Sequence, residues 1–416
     1  LTLRHSIQKI EAALELVKEF KAIKFPHPDS TAAINEVAKL LEKHKELLND
    51  AKDETLSQET QTGSNSFVSE ALEMLGVVAN SANVRNAFEV HGPVLEMARN
   101  VIGDRGTALI LTFEWDYQPY TVPQNHPQFP RFVIIGLPAS EASNALVLPA
   151  VGHELGHVLW LKQDMKTALA PRVNEETIKL IKSKYRDKYQ ALFKISADDA
   201  GSEEIDNTST WGQAAEYCLR QIEEIFCDFA GLFLFGRCYL ECFEYMLSPA
   251  LHQMRAPEYP TVKVRAEVLA SNSVKIGVAA HINFEEQFAA QKSPFEDADE
   301  KFFDRDTEMF ELELADEVAR AMANEIADRV FTLCRDRGLA PPDSESAEDI
   351  KEHFLKGVPA EKTAGLGQIA NAGWLTYEDA NFMAGEPNQQ RMAALNELVL
   401  KSIEIYEIER IMHRAA

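Results

Sequence analysis

The chain has 416 residues, 45% hydrophobic and 26% charged, with a formal net charge of −24 and a sequence pI near 4.9. That balance is globular, not disordered, and the length suits two or three folding units. It argues against a nucleic-acid partner, because a face that binds the phosphate backbone needs clustered Lys and Arg. The five cysteines show neither disulfide-framework nor CxxC spacing and read as buried free thiols in a reducing compartment. No apolar run reaches the length of a membrane span, and the polar N-terminus shows no signal-peptide pattern. A cytoplasmic protein with no nucleic-acid partner is therefore expected.

In chain order, apolar residues at helical spacing predict helices over 4–24 and 31–52, separated by the breaker Phe25-Pro26-His27-Pro28-Asp29-Ser30. Polar residues 53–65 read as a linker, followed by helices over 66–79 and 84–102. The period then changes: Thr107–Trp115 and Arg131–Leu137 are rich in β-formers. The segment joining them holds Pro119, Pro123, Pro127 and Pro130 and should be an extended loop. Asn144–Lys162 reads as a helix, with Pro149 tolerated at its effective start. Residues 163–210 look like a charged insertion with a helix near 173–193, ending in the acidic stretch Asp198–Asp206. Trp211–Met246 forms one long apolar helical region, another helix follows Pro260, and the chain beyond 272 is helical with a break at 336–347.

The helix over 144–162 contains His153-Glu154-Leu155-Gly156-His157, an HExxH pattern. Residues four apart share one helical face, so both imidazoles can reach a single metal ion. Glu154, about 100° around the helix from His153, is placed to act on a water without being a ligand itself. Catalytic zinc takes three protein ligands, and His₂Glu is one standard set. The best third donor lies in Gln221-Ile222-Glu223-Glu224-Ile225-Phe226-Cys227-Asp228-Phe229-Ala230-Gly231. There Glu224 and Asp228 share a face, and Asp228 can bond the outer nitrogen of a ligating histidine if Glu224 takes the metal. Glu223, Glu216 and Glu203 are alternative third donors, and the bland reading is an amphipathic helix with two solvated acids.

HELGH followed by ExxxDxxG resembles the gluzincin clan of zinc metallopeptidases, closest in pattern to the CAAX prenyl protease and quality-control peptidase group. Cys227 stands where that group usually has Ala, and the resemblance covers roughly residues 105–270. Many of those relatives are membrane-embedded, whereas this chain shows no span. Sixty-six residues also separate His157 from Glu224, more than thermolysin-like enzymes use. The resemblance implies Zn²⁺ held by His153, His157 and Glu224, Glu154 as general base and Asp228 in support. Glu258-Tyr259-Pro260-Thr261-Val262-Lys263-Val264-Arg265 is similar to the HPxxxxR segment of such peptidases, with Tyr259 where His is usual. Tyr259 would donate to the oxyanion or simply pack as a loop aromatic, and Arg265 would pair with an acid of the site or anchor its loop.

The fold expected is α+β and predominantly α: a zincin-like core with a small β-sheet at 66–271, flanked by an N-terminal helical hairpin region at 1–65 and a C-terminal helical region at 272–416. The strand at 131–137 would align a peptide as an added strand. The expected activity is zinc-dependent hydrolysis of peptide bonds in a protein or peptide substrate. A regulated protease with one dedicated target, as in stress or phage defence, is an architectural analogy, and a non-catalytic zinc-stabilised scaffold is the alternative. The helical regions would serve homo-oligomer or regulatory contacts. Leu395–Ile411 is amphipathic enough to complete a bundle or a dimer. His27, His44, His126, His252, His281 and His413 read as structural or surface residues, and runs such as Glu296–Glu300 as solvated faces.

Overall fold

The computed structural model describes residues 2–50, 54–82, 88–114, 119–122, 129–141, 144–201, 210–248, 254–293, 305–360 and 365–415. His126, His252, Glu203 and Glu296–Glu300 lie outside the described residues, as do most of Asp198–Asp206 and the middle of the proline-rich segment. The fold is predominantly α with one small three-stranded sheet. Among the described residues no helix is long and apolar enough to cross a membrane.

The chain divides into two compact units, 1–99 with 104–143, and 100–103 with 144–416. This differs from the boundaries expected at 65 and 271, and burial supplies the reason. In the first unit, helices α1 (Thr2–Lys21), α2 (Pro28–Asp50) and α3 (Glu54–Asn80) pack together, with α4 (His91–Ile102) running out of the unit. Strands β1 (Ala108–Glu114), β2 (Tyr120–Val122) and β3 (Phe132–Pro138) complete it. One apolar cluster runs from Ile10 and Val17 through Ile34, Leu41, Phe67 and Met74 to Ile110 and Ile134. A single core cannot be cut at residue 65 without exposing that surface. The expected linker at 53–65 is itself helical from Glu54: Glu59 and Thr62 are exposed while Ser64 and Phe67 are buried, so one side of the helix packs on the core and the other meets solvent.

The sheet order is β1-β3-β2, with β1 parallel and β2 antiparallel to β3. β3 is therefore the central strand, and its pairs with β2 at Ile134, Ile135 and Gly136 leave no room there for the added substrate strand expected at 131–137. β2 was hidden by its prolines: Tyr120 lies over Gly136, where a Cβ would meet the ring at 1.8 Å. Because Ala108 N donates to Arg131 O, the Leu109 peptide faces the opposite edge of β1. Side chains close that edge: Leu109 N donates to Asp29 Oδ2 at 2.8 Å, and His91 Nε2 donates to Leu109 O at 3.1 Å. His27 stacks on His91 with ring centroids 3.7 Å apart.

The second unit is built around α5 (Ala150–Lys162) and α8 (Thr210–Phe235), with α6 (Met165–Ser183), α7 (Arg186–Phe193), α9 (Arg237–Leu247) and α10 (Val262–Ser273) between and after them. Then come α11 (Arg305–Asp336), α12 (Ser344–Leu355), α13 (Leu366–Glu378) and α14 (Asn388–Ala415). α5 starts after Pro149, and it is apolar around most of its circumference, as a helix inside a core must be. The expected single helix over 211–246 breaks at Gly236, whose φ of 63° favours glycine. Asn371 bridges the break, donating to Phe235 O and accepting from Cys238 N.

The region 272–416 is not a separate flank. α11 lies along α8, burying Phe310, Leu314, Val318, Met322, Ile326 and Val330 at helical spacing, and Phe229 and Phe233 of α8 meet Phe331. α14 buries Leu395, Val399 and Ile403, so its first half completes this unit, while Ile411 and Met412 are exposed. The segment 277–292, expected to be helical, is mostly irregular. All five cysteines are buried and unbridged, as expected.

Burial, then the neighbouring His91, lowers the His27 pKa to about 4. The unfolded chain takes up this proton near pH 6.5, so between about 6.5 and 4 the folded state holds fewer protons and loses stability as pH falls. Thermal unfolding of the first unit should show this slope across that window, levelling below it, and His27→Gln should flatten it. An identical pH dependence in the variant would rule out His27 as its source.

Candidate metal centre

The site begins with the distance between two helix backbones. A Cβ on Gly156 would sit 2.6 Å from Cys227 Cα, and one on Gly152 would sit 2.8 Å from Gly231 Cα. Backbone cannot yield to such overlaps as a flexible side chain can, so α5 and α8 approach this closely only because small residues meet. Trp160 packs edge-on against Phe226 beside this contact. His153 and His157 then face the acidic residues of α8 directly.

His153 Nε2 lies 3.2 Å from Glu224 Oε2, and His157 Nε2 lies 3.7 Å from Glu224 Oε1. The outer nitrogens have separate partners: His153 Nδ1 is 3.0 Å from Asp228 Oδ1, and His157 Nδ1 is 2.9 Å from Glu223 Oε1. Both rings are thus oriented from behind, with Nε2 turned to Glu224, the arrangement that fixes a metal-binding tautomer. Asp228 is fully buried and accepts two bonds from Arg265, at 2.8 and 2.7 Å, and one from Tyr239 Oη at 2.7 Å. Arg220 Nη1 donates to Glu223 Oε2 at 3.0 Å. Each histidine is therefore backed by a carboxylate that an arginine holds in turn.

The electrostatics follow from burial and pairing. Burial opposes charge on Asp228, but Arg265 and His153 outweigh it and hold the carboxyl well below its usual range. Burial likewise disfavours an imidazolium at His153, yet Asp228 and Glu224 together raise its pKa to about 10. Glu224 is lowered against the pull of burial, chiefly by His153 and then His157. Glu154 moves the other way: it is buried, and burial raises its carboxyl despite the nearby histidines. Tyr259 is partly exposed and flanks the Arg265 guanidinium at 5.8 Å. The Glu224 carboxylate and then burial push its hydroxyl up, so it remains a donor.

These residues fit a divalent cation. Glu224 Oε2 is buried with no hydrogen-bond partner, despite its closeness to His153 Nε2. An unsatisfied buried carboxylate oxygen is costly unless a cation takes the place of the missing donor. Two donors sharing one tetrahedral zinc stand roughly 3.3 Å apart, comparable to the spacings found here. Cys227 Sγ also falls within 4.8 Å of a nitrogen from each histidine. Burial and four neighbouring carboxylates raise that thiol well above its ordinary pKa, which makes it a poorer donor than Glu224.

Comparison with family models, with curated proteins and with solved structures finds no match. The site therefore rests on its own geometry. That geometry brings His153, Glu154, His157, Glu224, Asp228 and Arg265 together, with Tyr259 beside Arg265. Glu216 instead pairs with Lys166 on the surface. Glu223 backs His157, a role the sequence reading did not assign, and Arg220 and Tyr239 were missed altogether. For Glu223 the available signal was its neighbour: adjacent helical residues diverge by about 100°, so Glu223 and Glu224 can grip opposite nitrogens of one imidazole. Tyr239 follows the Gly236 break, and no spacing rule reaches across it. Outside the site, His44 stacks on Phe67 and His281 pairs with Glu244.

Two measurements test the centre. Metal analysis should find zinc lost in Glu224→Ala and retained in Cys227→Ala; the reverse result would move the third donor to the thiol. Gly156→Ala should cost roughly 1–3 kcal/mol by overpacking and weaken zinc retention. A variant as stable and zinc-loaded as wild type would show that the helices can part without consequence.

Proposed function

We propose that this chain is a zinc-dependent peptidase of the gluzincin type, with His153, His157 and Glu224 holding the metal. The observation that carries the reading is the pair of imidazoles turned onto one buried carboxylate whose Oε2 has no other partner. Glu224, Asp228 and Glu223 each pair with a histidine, whereas Glu154 is a fourth buried acid beside the same rings that forms no ion pair with them, and a purely structural ion cluster has no use for it. The zincin-like core suggested by HELGH and ExxxD is part of the same proposal.

When bound, zinc supplies Lewis acidity, making a water more acidic and polarising a carbonyl. Glu154 takes the proton from the attacking water and passes it to the leaving amine. Its raised carboxyl pKa suits that task, because the protonated form must persist long enough to be used. Tyr259 donates its hydroxyl hydrogen bond to the oxyanion of the tetrahedral intermediate. Asp228 and Glu223 hold the two imidazoles in register, while Arg265 and Arg220 hold those carboxylates. The substrate is a peptide or protein segment, and a dedicated target is part of the proposal only by analogy of architecture.

The test is a pair of conservative substitutions on zinc-loaded protein, assayed with fluorescein-labelled casein and a mixed peptide library. Glu154→Gln should keep stoichiometric zinc and lose cleavage by about 10²–10⁴-fold. Tyr259→Phe should reduce kcat by about 10²-fold with KM little changed. Full activity in Glu154→Gln would end the assignment. Zinc-loaded wild type that cleaves nothing would favour a zinc-stabilised scaffold.

A further inference from the structure

Tyr259 sits in a turn, Met254–Thr261, that leads into α10 and is fastened at several points. Met254 bridges Lys292, and Arg255 N donates to Lys292 O at 3.0 Å. The Arg255 side chain is buried and spans the turn: Nη1 donates to Asp316 Oδ2 at 2.7 Å, and Nη2 donates to the carbonyl of Tyr259 at 2.8 Å. Asp316, on α11, also accepts from Thr261 N through Oδ1 at 3.4 Å. From α8, the fully buried Gln221 donates Nε2 to Pro257 O at 3.2 Å, three residues before Glu224. Within the turn, Tyr259 N donates to Ala256 O.

An eight-residue turn containing two prolines has few backbone donors with which to hold itself, so its conformation must be imposed from outside. A guanidinium suits this because its planar fork fixes the distance and angle between two acceptors, which a lysine ammonium would not. One of those acceptors is the Tyr259 carbonyl and the other a carboxylate anchored on α11. Gln221 ties the same turn to the helix that carries Glu224. We infer that Arg255 and Asp316, assisted by Gln221, are positioning residues that hold Tyr259 beside the metal-binding carboxylate. The inference rests on the hydrolytic reading of Tyr259. It adds a role for α11: besides burying α8, that helix anchors the turn that supplies the oxyanion donor.

The experiment compares wild type, Tyr259→Phe, the paired replacement Arg255→Met with Asp316→Met, and the triple variant. Replacing both partners leaves no unpaired buried charge, which keeps the fold accessible to the test. Hydrogen exchange read on the peptide covering 254–261, zinc content, and kcat and KM on labelled casein are measured for each. In the paired variant zinc should remain stoichiometric, amides of the turn should exchange at least 10-fold faster, and kcat should fall about as far as in Tyr259→Phe. The triple variant should be no slower than Tyr259→Phe alone, because the pair acts through that side chain. Arg255→Lys should recover only part of the protection. Unchanged exchange in the turn, or a full further loss of kcat in the Tyr259→Phe background, would overturn the inference. If wild type cleaves no peptide, the hydrolytic reading fails on that result, and the exchange measurement still decides whether the pair holds the turn.

Discussion

Everything in the second unit depends on how closely α5 and α8 approach. Gly152 meets Gly231 and Gly156 meets Cys227 at distances that leave no space for a further methyl group. Backbones this close place the imidazoles of one helix against the carboxylates of the other without long, flexible side chains between them. The surrounding apolar mass keeps them there: Trp160, Phe226, Phe229 and Phe233 are fully or almost fully buried, and α11 covers the far side of α8. Close packing holds the geometry because interiors of this density transmit displacement instead of absorbing it.

That geometry forces charges into a dry place, and the charges are then paired in order. Arg265 stabilises Asp228, Asp228 orients His153, and His153 faces Glu224. A parallel series runs from the more exposed Arg220 through Glu223 to His157. Glu224 is where both series end, and its buried Oε2 has no hydrogen-bond partner beyond the His153 Nε2 that approaches it. A buried network of this kind is stable only when its members are satisfied, so the one unsatisfied atom is the informative one. Glu154 stands beside the network with its carboxyl raised by burial, which suits the proton transfer proposed for it.

Much of the site was legible because helical spacing is a local rule. His153 with His157, and Glu224 with Asp228, each lie four residues apart, so a shared face follows from 3.6 residues per turn. Cys227, standing where the resembled group has Ala, is likewise small enough for close helix packing, while the matching role of Gly156 shows only in the structure. Other features depend on partners far along the chain. Tyr239 reaches Asp228 only because Gly236 turns the helix, and Asp316 acts on a turn 55 residues before it. The two compact units depart from the boundaries expected at 65 and 271 for a related reason: composition marks where a chain is polar, whereas a core is defined by which apolar faces meet. Residues 54–65 are polar and still helical, because one side of the helix they belong to is buried.

The sequence by itself determined the donor types, the two helical faces that carry them, the predominance of helix and the buried state of the thiols. All of these follow from periodicity and from side-chain chemistry, which act over a few residues. Tertiary structure alone decided that β3 is a central strand and that α11 belongs to the same core as α8. It alone placed Glu223 behind His157, and it alone turned both imidazoles onto the buried Glu224 carboxylate. Those outcomes depend on long-range packing, where the free energy of burying a face is set by the surface that covers it. HExxH is a local statement about one helix; the candidate metal centre is a statement about two, and the contact between Gly156 and Cys227 joins them.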